Sequence, residues 1–542
     1  MNMHQTLPEN VDVLLVGMGP VGATAANLLG RYGLRTLVID KAQEIFMAPR
    51  AIVLDNEALR ILQMAGLEDG AFATCAIPEV QMHSPLFGHY ARAKTAGQID
   101  GHPQLVTFYQ PELERVLRDR LRQYSCVQAE LGAELEDVTQ DEHGVRATIR
   151  KADGKVAEVH ARFLLGADGA SSLVRRQLGM EFDGKTFTQD WLVVDVKNAP
   201  IPISHIEFTC DPRRPSPHMP APGNRQRWEF MLHPGETREQ MEKPETIRAL
   251  LAPWCDTRDC TIERTAVYRF HARIVDRFSK GRVFLAGDAA HITPPFVGQG
   301  LVAGLRDVAN LCWKLASVSQ GRAPLSILDS YDQERRPHAR AIINMARMMG
   351  ALVMPRNRAT AFLVHGLMGI LHRIPFTRPF FEELQIKPAN RFPRGLFQRG
   401  GSDARLVRGG QLPQGLVRRA PGAPCVLSDE ALGNGLSLIG FGCDPSQHLS
   451  APLQAAWRAI GGQFVAMRHR GQPDLGPGNW EDMGDTLVPG AAPVGWVAAV
   501  RPDRVVMHDG PLSSVDDIVT EVLGPFNAVA APRFSPAPQT TS

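Results

Sequence analysis

The chain has 542 residues, enough for about three or four domains at roughly 150 residues each. Hydrophobic residues make up 44% and charged residues 21%, which excludes a disordered chain, a collagen or a coiled coil. A formal net charge of +2 lacks the positive field that nucleic-acid binding relies on, so no nucleic-acid partner is expected.

The opening segment, MNMHQTLPENVDVLLVG, has no basic stretch and no small-residue cleavage site, so no signal peptide is expected. Val11 to Val16 is a short apolar run of the kind that forms a buried parallel strand. Gly17, Gly19 and Gly22 follow as G-x-G-x-x-G, with Pro20 and Val21 inside the motif. Ala23 to Leu29 predicts a helix that ends at Gly33. Leu34 to Ile39 predicts a second buried strand, ending in Asp40 with Lys41 beside it. This strand, turn, helix, strand and acid order is the context a dinucleotide fingerprint requires. Gly17 permits the tight turn, Gly19 a close approach of backbone to phosphate, and Gly22 close packing of helix on strand. The helix N-terminus adds free N–H groups and a positive dipole end. Asp40 suits a ribose 2′-OH and repels a 2′-phosphate.

PRAIVLDNEALRILQMAGL predicts a loop and then a helix. VTFYQ predicts a strand that enters a helix at Pro111. Val145 to Arg150, Val156 to Ala161 and Phe163 to Leu165 predict a strand cluster. From Trp191 to Tyr268 the texture changes to strands separated by Pro-rich loops, as in PIPISHIEF and RRPSPHMPAPG, which predicts a second, sheet-based domain. Val283 to Ala286 is again a buried strand, and Leu301 to Ala316 and Tyr331 to Met349 predict helices. Pro388 to Arg419 has linker composition, and Ser437 to Thr520 predicts a small α/β unit. No apolar run reaches the roughly 20 residues of a membrane helix. Ala361 to Leu371 comes nearest and contains His365. A cytoplasmic protein with no membrane partner is expected. The eight cysteines form no C-x-x-C pair, so dithiol or zinc-ribbon chemistry is not expected.

Two further motifs stand beside the first. GADGASSLVRR runs from a strand into Asp168-Gly169 and a helix near Ser171. GDAAHITPPFVGQGLVAGL holds Gly287 and Asp288, then a loop with Pro294, Pro295, Gly298 and Gly300, then a helix that opens with Leu301 and Val302. Glycines at such places let backbone N–H groups approach a flat ligand.

With these three motifs in this order, the chain resembles the FAD-dependent aromatic hydroxylases, the single-component flavoprotein monooxygenases. The segments PRAIVLDNEALR, FTCDPRRP, WEFMLHPGE and YDQERRPHA resemble the branch that hydroxylates 3-(3-hydroxyphenyl)propionate. The resemblance implies an α/β fold: a Rossmann-like FAD-binding domain, an inserted β-sheet substrate domain and a C-terminal thioredoxin-like unit. The implied domains are 10–78, 107–190 and 266–390 for FAD, 79–106 and 191–265 for substrate, and 400–525 at the C-terminus, with 526–542 as a tail.

The resemblance also implies residue roles. Asp40 holds the adenosine ribose, and Arg50 and Gln110 lie near the pyrophosphate and ribityl chain. Asp168 supports FAD and the nicotinamide donor, and Asp288 contacts the ribityl or pyrophosphate region. Pro295 sits at the flavin ring near the substrate. Gly300, Leu301 and Val302 offer backbone N–H groups to the ring's pyrimidine end. Many relatives carry Asn where this chain has Val302, so a side-chain contact to the flavin is lost there. The implied reaction uses NADH or NADPH, FAD and O₂, and hydroxylates a phenol through a flavin hydroperoxide. No second strand–G-x-G-x-x-G–helix exists for the nicotinamide donor.

No general base is evident from spacing. Tyr268 matches a pocket tyrosine of related phenol hydroxylases. His271 is near it, but odd spacing along a strand puts it on the opposite face. Asp55 is either a pocket group or a surface helix cap, and Arg214, Arg225 or Arg227 is a candidate for a substrate carboxylate. Three alternatives stay open: a hydroxylase of a bulkier phenolic such as a flavonoid or polyketide, a flavin oxidase or dehydrogenase, and a flavin-binding regulator. A homodimer is compatible with all of them.

Overall fold

The computed structural model describes residues 7–527 apart from 49, 257, 356, 375, 377–386 and 477. Most of the expected tail, from residue 528 on, lies outside the described residues. The chain divides into two compact units. The first takes in Met1–Gly30, Arg35–Val308 and Arg336–Ala389, and the second Arg31–Leu34, Ala309–Arg335 and Asn390–Ser542.

In the first unit, strand Asn10–Val16 lies between Thr36–Asp40 and Val156–Gly166, parallel to both. Val127–Leu131 and Val283–Leu285 extend this Rossmann-like layer on either side, also in parallel. Leu14, Leu15, Leu37 and Val38 are fully buried. Parallel strands covered on both faces read as unbroken apolar runs, which is why they were legible. Val156–Gly166 behaves differently in its two halves. The first half alternates burial and pairs antiparallel with Val145–Arg150. From Phe163 on, every residue is buried, and Val283–Leu285 takes the place of Val145–Arg150 on that edge. The two strands expected there are one strand, because the change of pattern at Arg162 is a change of neighbours.

The turn after the first strand is tight. A Cβ on Gly22 would stand 2.0 Å from the Gly17 carbonyl oxygen. A Cβ on Gly17, whose φ is +102°, would stand 2.4 Å from that of Ala167. Only glycine lets helix Pro20–Arg31 start this close to the strand.

The second sheet runs from His291–Ile292 through Thr261–Val275, Phe182–Lys197, Arg225–Met231, Ser216–Ala221 and Ile206–Thr209 to Glu79–Ser84 and Gly88–Lys94. On one face, Leu192, Val194, Trp228 and Phe230 pack with Ile247 and Leu251 of helix Pro244–Leu251. The other face bounds a cavity. Phe182–Lys197 and Thr261–Val275 run unbroken across 190–191 and 265–266, where changes of domain were expected. The expected loop RRPSPHMPAPG instead supplies strand Ser216–Ala221, with all its residues buried. Pro217 and Pro220 each withhold one N–H from the ladder. Pairing on both edges holds the strand in place.

In the second unit a mixed sheet runs Val426–Leu427, Leu416–Arg418, Trp480–Asp482, Gly462–Arg468, Leu436–Phe441, Trp496–Val500, Val506–Pro511. Part of the expected linker is packed: Leu406, Leu412 and Val417 are buried in this unit's core. Among the described residues no helix is long and apolar enough to cross a membrane.

The second unit also contains a buried group of charges. Glu334 accepts from Arg501 at 2.6 and 3.0 Å, from Lys314 at 2.8 Å and from Asn310 at 2.6 Å. It also accepts from the Leu396 amide at 2.7 Å. Burial alone would raise its pKa, but Arg501 and Lys314 outweigh it and hold the carboxyl below the usual range. Removing one partner of a buried pair leaves the others uncompensated, at about 3–5 kcal/mol. Glu334→Ala is therefore expected to lower the melting temperature by roughly 10 °C. Calorimetry checks this, and a change within about 2 °C contradicts it.

Candidate active site

A cavity of about 950 Å³ lies in the first unit. The glycine turn builds one end, where Gly19, Pro20 and Val21 line it together with Asp40. Nothing lies within 4 Å of where a Cβ on Gly19 would stand, so its backbone is bare there. Asp40 is oriented by two backbone amides, with Met18 N–H donating at 2.6 Å and Ala42 N–H at 2.8 Å. Gly17 and Gly22 do not line the cavity; they set the turn. Lys41 is exposed and Gly287 packs against Val21, and neither reaches the lining.

Gln110 and Arg50 meet at the middle of the cavity. Gln110 Oε1 accepts from the Arg50 and Ala51 amides at 3.1 and 2.9 Å. Asp288 lines the same region, and burial pushes its pKa up, with Arg50 and His291 opposing. Pro295, Gly298, Gly300 and Leu301 also line it. Val302 is fully buried in the first turn of helix Gly300–Ser319 and does not. Asp168 stands behind the lining. Its Oδ2 accepts from the Leu173 and Val174 amides at 2.7 and 3.2 Å, while its buried Oδ1 has no partner.

The far end is floored by the second sheet. Tyr268 and His271 both line the cavity, together with Arg269 and Phe270 between them. The register of Phe182–Lys197 against Thr261–Val275 shifts between Thr186 and Asp190, opposite this stretch. The extra residues of this bulge belong to Phe182–Lys197. The Tyr268 hydroxyl meets the Arg264 guanidinium. Arginine carries only donors, so Tyr268 Oη accepts and its own proton is left for another acceptor. His271 shares a 3.0 Å hydrogen bond with Thr186. Burial, then Arg273 and Arg269, pushes its pKa down, so it is neutral near pH 7.

Of the arginine candidates, Arg227 lines the cavity. It is buried and grips Asp195 with two bonds of 2.6 and 3.0 Å. Arg225 pairs with Glu263 and Arg214 with Glu236, and neither lines the cavity. Asp55 is not at the surface. It caps helix Asn56–Met64 and is buried at 3% exposure. It also accepts from Arg306 at 2.9 Å and Lys387 at 2.8 Å. Burial would raise its pKa, but Lys387 and Arg306 hold it well below the usual carboxylate range.

Sequence reading missed two features. Phe296 packs edge-on against Trp191 and Phe270 at 5.9 and 5.8 Å, forming an aromatic wall. Glu229 also lines the cavity, a buried acid between Trp228 and Phe230 in sequence. Strand alternation in RQRWEFM was the available signal, since it sets Arg227 and Glu229 on one face.

Residues 10–346 match the family model described as FAD binding domain, and 409–524 the one described as HcaD C-terminal domain. The chain is 40% identical over 464 residues to a 3-(3-hydroxy-phenyl)propionate/3-hydroxycinnamic acid hydroxylase of Burkholderia cenocepacia (strain HI2424), covering 84% of each. It is 34% identical over 521 residues to the protein of that name from Comamonas testosteroni, covering 86% of this chain and 88% of that one. Among solved structures, the flavin-dependent monooxygenase PieE, in complex with FAD and substrate, shares the fold. The TM-score is 0.80 at 22% identity, over 95% of this chain and 99% of that one. OxyS anhydrotetracycline hydroxylase from Streptomyces rimosus gives 0.75 at 24% identity, over 96% and 100%. The FAD model spans more than half of the chain and the relatives most of it, and the chain belongs to the family of FAD-dependent aromatic hydroxylases.

Proposed function

We propose that the chain hydroxylates the ring of a small phenolic acid of the 3-(3-hydroxyphenyl)propionate type, with FAD, O₂ and NADH or NADPH. The observation that carries this reading is one cavity that joins the bare glycine turn to an apolar sheet floor bearing Tyr268, Arg264 and Arg227. The named relatives supply the substrate class. A cytoplasmic location, a homodimer and the domain limits expected from sequence belong to the same proposal. So does a structural part for the C-terminal unit.

The residues fit FAD. The cradle of Gly17 and Gly22 admits no side chain, and Gly19 is open where a diphosphate would approach. Helix Pro20–Arg31 directs its positive end there. Asp40 is held ready for a ribose hydroxyl. Gly300 and Leu301 begin a second helix at the cavity edge. Bound FAD, reduced by the nicotinamide donor, supplies the electrons and the activation of O₂.

The chain's own residues do the rest. Tyr268 directs its hydroxyl proton to an oxygen of the substrate, polarised by Arg264 on the other side. His271 lines the cavity near Tyr268, its ring oriented by the hydrogen bond between Nδ1 and Thr186. Trp191, Phe270 and Phe296 form an apolar wall near the cavity that limits water. Asp195 pairs with both Arg227 and Arg264, which offsets the repulsion between the two cations.

Purified FAD-loaded protein, given NADH or NADPH and a panel of phenols, is expected to oxidise the nicotinamide fastest with 3-(3-hydroxyphenyl)propionate and to yield hydroxylated product with little H₂O₂. A bulkier phenolic that outperforms it moves the substrate class. Oxidation that yields only H₂O₂ with every phenol overturns the hydroxylase reading. Tyr268→Phe is expected to keep FAD and lose about 10–100-fold in kcat/KM, the value of a hydrogen bond to a charged oxygen. Equal kcat/KM removes Tyr268 from the mechanism. Gly22→Val is expected to yield protein without the yellow flavin absorbance, and full flavin content contradicts the cradle argument.

A further inference from the structure

The sheet face under the cavity is apolar over much of its width. Val80, Met82, Ile206, Phe208, Pro217 and Met219 supply it from three strands. Arg225–Met231 then sets two ionisable groups on this face, Arg227 and Glu229, about 7 Å apart by strand geometry. Their alternates, Trp228 and Phe230, go to the core on the other side.

The two groups differ in their partners. Arg227 has both Asp195 oxygens and donates to the Arg50 carbonyl at 3.0 Å. Asp195 also accepts from Arg264 at 3.0 Å. Glu229 is 9% exposed, and among the described residues no hydrogen bond or ion pair reaches its carboxyl. Its register partner is Val193, which also lines the cavity. Burial pushes its pKa up, with Arg227 opposing. A buried carboxyl without a partner is costly, and one that faces a cavity implies a partner that enters with the ligand.

We propose that Glu229 is the specificity-determining contact for the substrate's ring hydroxyl, its carboxylate accepting the hydrogen bond from the phenol O–H. This rests on the phenolic-acid reading above. A carboxylate cannot serve the ligand's own carboxylate, so the acid side chain of the ligand belongs with Arg264 and Tyr268. The ring hydroxyl is the remaining donor on such a ligand, and Glu229 is a carboxylate on the floor to which, among the described residues, no protein group donates. An accepted hydrogen bond also increases electron density in the ring, the direction that electrophilic hydroxylation requires.

The test is a cycle between this residue and the ligand hydroxyl. Oxidised, FAD-loaded protein is titrated with 3-(3-hydroxyphenyl)propionate and with 3-phenylpropionate, and the change in flavin absorbance is followed. Wild type is expected to bind the hydroxylated acid at least tenfold more tightly. In Glu229→Leu the preference is expected to fall below threefold, while the affinity for 3-phenylpropionate holds or improves. If that variant does not load FAD, Glu229→Gln preserves the shape. Its neutral amide is a weaker acceptor, and the preference is expected to fall at least threefold. An unchanged preference in the variant, or a wild type that binds both acids equally, overturns the role of Glu229. A wild type that binds neither acid and hydroxylates no phenol overturns the functional reading itself, and this inference falls with it.

Discussion

The loop at Arg50 and Ala51 is the constraint on which the site depends. Its amides donate to Gln110, and its Arg50 carbonyl accepts from Arg227. Gln110 opens helix Gln110–Arg120 beside the dinucleotide layer, whereas Arg227 belongs to the second sheet. One short loop is thus fixed from both sides by groups that cannot move independently. Asp195 locks Arg227 with two bonds, and Arg264 shares that carboxylate. The sheet side of this link rests on buried, charge-assisted hydrogen bonds, the strongest of their kind, and the dinucleotide side on neutral amide bonds to Gln110. A ring must be held close to its oxidant to react, and this loop fixes where the two ends of the cavity stand.

The cavity separates its polar groups by partner. Asp55 and Glu57 are satisfied by Arg306 and Lys387, which leaves little capacity for a ligand. Their compensated charges close one wall without offering an open site. Tyr268 keeps a proton to give, because Arg264 occupies its oxygen. Glu229 keeps its acceptor capacity. The floor thus offers a donor at Tyr268 and a carboxylate acceptor at Glu229 amid apolar residues, a pattern suited to a small phenolic acid.

Local sequence carried the dinucleotide end because its parts are neighbours in the chain. Gly17, Gly19, Gly22 and Asp40 form one strand–turn–helix–strand unit. The substrate end was only partly legible, since its floor gathers strands from residues 79–94, 182–231 and 261–292. Tyr268 was found by resemblance, whereas the bulge in Phe182–Lys197 opposite His271 is invisible in the sequence of the strand that carries His271. Pro217 and Pro220 argued for a loop, yet the strand forms because pairing and burial outweigh the two missing donors. Asp55 read as a surface cap because its partners, Arg306 and Lys387, lie hundreds of residues away in the chain.

Two buried glutamates show how partner accounting distinguishes structure from function. Glu334 and Glu229 are both removed from bulk solvent, and each is set against arginine. At Glu334 every approach is filled: two cations, an amide side chain and a backbone N–H converge on its two oxygens. Such a group binds the fold together and has nothing left for a ligand. At Glu229 the nearby cation is already committed to Asp195, and the carboxyl faces open volume. Both acids are buried, Glu334 fully and Glu229 at 9% exposure, and sequence context is uninformative, since each stands among residues of ordinary type. The difference lies in unmet hydrogen-bonding capacity, which a stable protein retains at a buried site when a ligand meets it.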